Sequence, residues 1–255
     1  MSPELGRLYA QSLRIMESTL HALEGRVGPA EFVDMGDGHA FRYREKNARQ
    51  AIVQKLARLV SGLHAARLLL HAGFIQEQGA LHRMVEEFQE DATFLAYGII
   101  HNELTPLHHQ YLDAFYMEEF DVPGQAMKSS QKRPMISRDK IHAYLARIEN
   151  ATGDPYTTQR AIRSVSKTFS GYVHGASPHT MEMYGGDPPQ FHVRGLKHSP
   201  LYNDHAYDLW NYFYRGISAF GFAAKAFGED DLCMEITKYM DDFAKESGRE
   251  VRPGA

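Results

Sequence analysis

The chain has 255 residues, of which 43% are hydrophobic and 24% charged, with a formal net charge of −4. That length and composition supply a sizeable buried core and exclude a largely disordered chain. The single cysteine, Cys233, excludes an internal disulfide.

No apolar stretch reaches the roughly 20 residues needed to cross a bilayer. The start, Met1-Ser2-Pro3-Glu4, lacks the basic-then-apolar pattern of a secretory leader. The expectation is a cytoplasmic protein with no membrane contact.

Proline, excluded from helix interiors, divides the chain into spans where helices can run. Residues 2–24 place Leu5, Leu8, Leu13, Met16, Leu20 and Leu23 at helical spacing. In residues 25–44, Gly36-Asp37-Gly38 sits between Phe32-Val33 and Phe41/Tyr43, which predicts a small β-hairpin. Residues 45–70 keep Ile52, Leu56, Leu59, Leu63 and Leu70 on one face, and Gly73 predicts the stop. A second long helix, 75–101, carries a predicted apolar stripe of Leu81, Met84, Phe88, Leu95 and Ile99. So short a connection predicts an antiparallel helical hairpin.

Pro106 suits the first turn of a helix reaching residue 120. Residues 122–136 read as a loop, Ser137 as the N-cap of a helix to about 151, and 157–174 as a further helix. Residues 175–199 read as irregular, with short strands near 181–184 and 191–193. Pro200 opens a long helix to 227 that is apolar nearly all round, as the middle of a bundle requires. A last helix covers 230–246. The expectation is a single all-α domain of seven or eight helices, with the 45–101 hairpin and the 201–227 helix at its centre.

Charge is concentrated. Residues 128–167 hold nine Lys or Arg against Asp139, Glu149 and Asp154, inside an acidic chain. Such a sector suits a local polyanion ligand, RNA or another phosphate-bearing molecule. On the helix ending at His174, the residues Arg163, Lys167, Ser170 and His174 fall within an arc of about 60° at helical pitch, with Arg160 at its edge. Arg160, Arg163 and Lys167 are the candidate anion-binding residues, and His174 and Ser170 the candidate catalytic pair. The irregular segment after Gly175 is expected to fold over them as a lid or wall. The bland alternative is a solvated face whose cations and histidine complement the helix dipole.

Arg83 and Glu87, four apart, are expected to form a structural ion pair. Glu77 shares a stripe with core residues, and Arg215 on the apolar helix needs an anion, so their mutual pairing is a further expectation. Fourteen histidines invite a metal reading. Yet His-Glu-x-x-His and paired Glu-x-x-His elements are absent, and Asp204, His205 and Asp208 are the nearest approach to a ligand set. No metal site and no cofactor is assigned. No P-loop, nucleophile elbow or Cys-x-x-Cys is present.

Two stretches together resemble a known group. Leu68-Leu69-Leu70-His71-Ala72-Gly73 with Ala80-Leu81-His82-Arg83 and Glu86-Glu87 resembles the helical hairpin of a bacterial family of unknown function. Ser170-Gly171-Tyr172-Val173-His174-Gly175 resembles its later Ser-x-x-Val-His element. The likeness covers about residues 45–175. That family is HEPN-like, and the resemblance implies a homodimeric helical bundle related to toxins, abortive-infection proteins and metal-independent ribonucleases. It implies a non-catalytic interaction or stress and phage-defence role, with metal-independent ribonuclease activity as the alternative; the histidine content, apart from the resemblance, leaves a metal-binding helical-bundle oxidoreductase as a third expectation. The Arg, four to six residues, then His spacing of HEPN ribonucleases occurs at Arg14/His21 and Arg58/His64. In a chain with 18 arginines and 14 histidines such spacings arise by chance. Lys167 to His174 has six residues between, with lysine in place of arginine.

Overall fold

The computed structural model describes residues 2–35, 38–120, 122, 125–130, 133–149 and 154–249. Among the described residues are nine α-helices and two small antiparallel ribbons. The helices are α1 (Pro3–Glu24), α2 (Ala48–Ala72), α3 (Ile75–Ile100), α4 (Pro106–Tyr116), α5 (Arg138–Glu149), α6 (Pro155–His174), α7 (Ser177–Met181), α8 (Leu201–Ala226) and α9 (Asp230–Glu246). The ribbons pair β1 (Glu31–Asp34) with β2 (His39–Arg42), and β3 (Tyr184–Gly185) with β4 (Gln190–Phe191). This is the all-α bundle with a small hairpin expected from the sequence.

Local chemistry fixes most of the helix ends. Asn47 and Gln50 form a reciprocal capping box at the start of α2. Gly73 ends α2 at φ 90°, a left-handed conformation that glycine alone adopts without strain. The backbone of Leu196 then donates to the Gly73 carbonyl at 2.7 Å, so the loop after β4 seals the hairpin turn. Pro106 opens α4 at N1, and Asp154 caps α6 by accepting from the Tyr156 and Thr157 amides.

Some boundaries differ. Helix α4 stops at Tyr116 instead of residue 120, and residues 177–181, read as irregular, form the short α7. The β1–β2 ribbon is present, with Phe32 opposite Phe41, but Gly36 and Asp37 of its expected turn lie outside the described residues. So do Lys132 of the basic sector and residues 150–151 at the expected end of α5.

Helix α3 is the axis of the molecule. It packs against α2, α5, α6 and α8, and α8 in turn packs against α1, α2 and α9. Gly62 meets Val85 across the antiparallel α2–α3 hairpin, and Gly216 lets α8 approach Leu63 and Gln89 closely. Tyr9 on α1 stacks on Phe213 at 4.3 Å, and Trp210 stacks on Phe243 of α9 at 5.6 Å, closing the far side of α8. With four helices around it, α3 buries residues 89–98 without interruption.

The expected apolar stripe of α3 is therefore corrected. Met84 is exposed at 43%, while Gln78, His82, Glu86, Gln89 and Glu90 are buried. Periodicity assigns polar residues to solvent, and here they face the interior. Among the described residues no helix is long and apolar enough to cross a membrane.

Candidate functional site

The outer face of α6 carries the residues singled out from the sequence. Arg160, Arg163, Lys167 and His174 are exposed and Ser170 is half-buried. Arg163 lies 3.5 Å from Asp139 on α5, and Arg160 sits over its own helix's Tyr156 ring at 5.8 Å. Among the described residues no carboxylate pairs with Arg160, Lys167 or His174. Gly175 ends the helix at φ 60°, so His174 stands at its rim as the sequence indicates. Lys140 and Arg147 of the adjoining α5 are also exposed.

The following segment does not cover this face. Helix α7 packs instead against the Gly171–Tyr172 side, where the His179 ring occupies the space a Cβ on Gly171 would need. The Tyr172 and His179 rings meet edge to face at 4.5 Å. The lid expectation is corrected: a flat, open cationic surface remains.

Part of the basic sector also turns inward. Arg133 donates to the Ala114 and Phe115 carbonyls, capping the end of α4. Arg138 reaches across to Glu90 and Asp91 on α3. Lys55 holds Asp91 at 2.8 Å, and His142 donates from Nε2 to Glu90 at 3.1 Å. Burial alone raises the Glu90 carboxyl, but the His142 hydrogen bond and the Arg138 charge outweigh it and hold it at about 2.

The Arg83–Glu87 ion pair forms at 2.7 Å, as the spacing predicts. The expected Glu77–Arg215 pair does not. Glu77 is exposed, and Arg215 donates to Glu86 at 3.4 Å. Arg215 keeps 37% of its side chain accessible, so it spans from the interior to the surface. Burial raises the Glu86 carboxyl, opposed by Arg215 and Arg83.

This pair ends a row of buried and half-buried polar groups whose meeting sequence reasoning missed. On α3 they are Gln78, His82 and Glu86, spaced four apart on one face. On α8 they are the buried His205 and Tyr212 and the half-buried Asp208 and Arg215. The His82 ring stacks on Tyr212 at 4.1 Å and meets Phe169 of α6 edge-on at 5.6 Å. Tyr172 of α6 donates to Glu182 at 3.0 Å and contacts His205 Nε2 at 3.3 Å. With the phenol proton on Glu182, the His205 Nε2–H is the donor to the phenol oxygen. Burial lowers His82 to about 3 and also lowers His205. Burial and Asp204 raise Asp208 to about 6. The one available sequence signal was the i, i+4, i+8 run Gln78/His82/Glu86, which reads as an exposed face when its surroundings are unknown.

Among the described residues no three His, Cys, Asp or Glu side chains are arranged to hold a metal ion. Asp204 is exposed while His205 points into the bundle, which separates the set considered from the sequence. Comparison with known proteins returns no matching family model, curated protein or solved structure.

Proposed function

We propose that this chain is a non-catalytic, HEPN-like interaction protein whose outer α6 face receives a phosphate-bearing ligand, with single-stranded RNA as the polyanion class. One observation carries the reading: Arg160, Lys167 and His174 share an exposed helix face, and no carboxylate among the described residues neutralises them. Lys140 and Arg147 on the adjoining α5 are exposed as well, in an otherwise acidic molecule. Cations so placed bind phosphate oxygens by charge and release counterions as they do so. The resemblance of the 45–175 region supports the HEPN-like assignment and a homodimer. The open geometry supports binding rather than cleavage, because among the described residues no side chain hydrogen-bonds His174 to orient its ring or take its proton.

The test is fluorescence anisotropy with a labelled single-stranded RNA of about 20 nucleotides, run from low to physiological salt. Binding should weaken steeply with salt, and Lys167→Ala or Arg160→Ala should each reduce the log–log slope by about 1. No binding at low salt, or binding indifferent to both substitutions, overturns the proposal. Degradation of the RNA in EDTA that His174→Ala abolishes replaces it with the ribonuclease reading. Light scattering at several concentrations tests the homodimer, which a strict monomer removes.

A further inference from the structure

We infer that the seam between α3, α6 and α8 is a second binding site, for a small, uncharged, planar molecule bearing both hydrogen-bond donors and acceptors, admitted by displacement of α6. It is independent of the phosphate-binding reading, which concerns the opposite side of α6.

The seam concentrates buried polar atoms with no hydrogen-bond partner among the described residues, although Arg83 lies 4.0 Å from Glu86 Oε2. Both amide atoms of Gln78, both ring nitrogens of His82, Glu86 Oε2, His205 Nδ1 and the Tyr212 hydroxyl are all in this state. The five side chains belong to residues that are at most 3% exposed. A buried donor or acceptor left unmatched costs about 1–3 kcal/mol, so native proteins contain few of them and rarely in one place. Here they share one helix face of α3 and the facing side of α8. His82 offers one donor and one acceptor whichever tautomer it adopts, and Gln78 offers both kinds at its amide. His205, with Nε2–H committed to Tyr172, presents Nδ1 as a bare acceptor.

The walls define the shape of the guest. Phe169 lies 5.7 Å from Tyr212 and 6.0 Å from Tyr172, ring to ring, and with His82 these rings form an aromatic lining. Flat rings favour a flat guest, held by stacking with polar groups meeting its edge.

The charges define its polarity. Glu86 is opposed by Arg215, and Glu90 and Asp91 by Arg138, His142 and Lys55. Burial disfavours the charged form of both seam histidines and of the phenols of Tyr172 and Tyr212. At the outer end Asp208 feels the opposing charge of Arg249. A charged guest among these groups would lose its hydration without gaining a free counter-charge.

Helix α6 is the element able to give way. It contributes Ser166 and Phe169 as buried residues and Ile162 and Tyr172 as half-buried ones, whereas α3 and α8 are embedded in the rest of the bundle.

The probes are uracil and adenine, with inorganic phosphate as the charged comparator. The readouts are calorimetry and long-range 15N NMR of the histidine rings on the full chain. One of the two bases should bind and shift the His82 and His205 ring resonances, and phosphate should not. His82→Phe keeps the ring and removes both nitrogens, and should weaken that binding at least tenfold. Gln78→Met should do the same and serves if the first variant fails to fold. Unmoved ring resonances with millimolar uracil and adenine overturn the inference. So does binding indifferent to Gln78→Met, an equal response to phosphate, or a crystal structure grown with the bases in which ordered waters alone meet these atoms.

Discussion

Replacing Glu90 by glutamine isolates one buried carboxylate whose worth can be worked from its surroundings. Its carboxyl sits at about 2 in the folded protein against an ordinary 4.5. It lies on residue positions only 5% exposed, so solvent screening discounts little. A depression of that size, at 1.36 kcal/mol per unit, stabilises the fold by about 3 kcal/mol at neutral pH. The direction follows from the depression: the contribution is fully present above the unfolded value and is lost as pH falls through the folded one. About 3 kcal/mol at pH 6 should shrink to about 1.5 kcal/mol at pH 3. Urea denaturation of the wild type and Glu90→Gln at pH 6, 5, 4 and 3 measures this directly. The gap between the two proteins should narrow by about 1.5–2 kcal/mol across the series. A gap that stays constant with pH shows that Glu90 gains nothing from ionisation, and refutes the assignment of Arg138 and His142 as its stabilising partners.

Other outcomes follow from the same geometry. Asp208 is held up at about 6 by burial and Asp204, so its ionisation opposes folding; Asp208→Asn should raise the melting temperature at pH 7.5 and leave it unchanged at about pH 2.5, where the carboxyl is protonated in both the folded and the unfolded state. A Cβ on Gly79 would stand 2.8 Å from the Tyr172 ring, so Gly79→Ala should push α6 outward and cost about 1–3 kcal/mol in urea denaturation. Asn47→Ala removes the capping box of α2 and should cost about 1 kcal/mol. Arg215→Met leaves Glu86 buried beside an apolar side chain, so its destabilisation should exceed that of the double variant with Glu86→Gln, as a thermal double-mutant cycle would show.

The sequence by itself determined eight of the nine described helices and their order, because the signals that end a helix act within a turn of it. Gly73, Pro106, Gly175 and Pro200 each mark an end or a start through local backbone chemistry, and each lies at a boundary in the fold. The same locality placed Arg163, Lys167 and His174 on one exposed face of α6 and joined Arg83 to Glu87. Tertiary structure decided what surrounds α3. Once four helices enclose it, His82, Glu86 and Glu90 have no side left that faces water, while Met84 is turned outward. The partners of Glu86 and Glu90, namely Arg215, Arg138 and His142, come from 48 to 129 residues away in the chain. Helical periodicity reports which residues share a face; it carries no information about which faces meet. The buried polar row of α3 and α8 exists only when those faces have met.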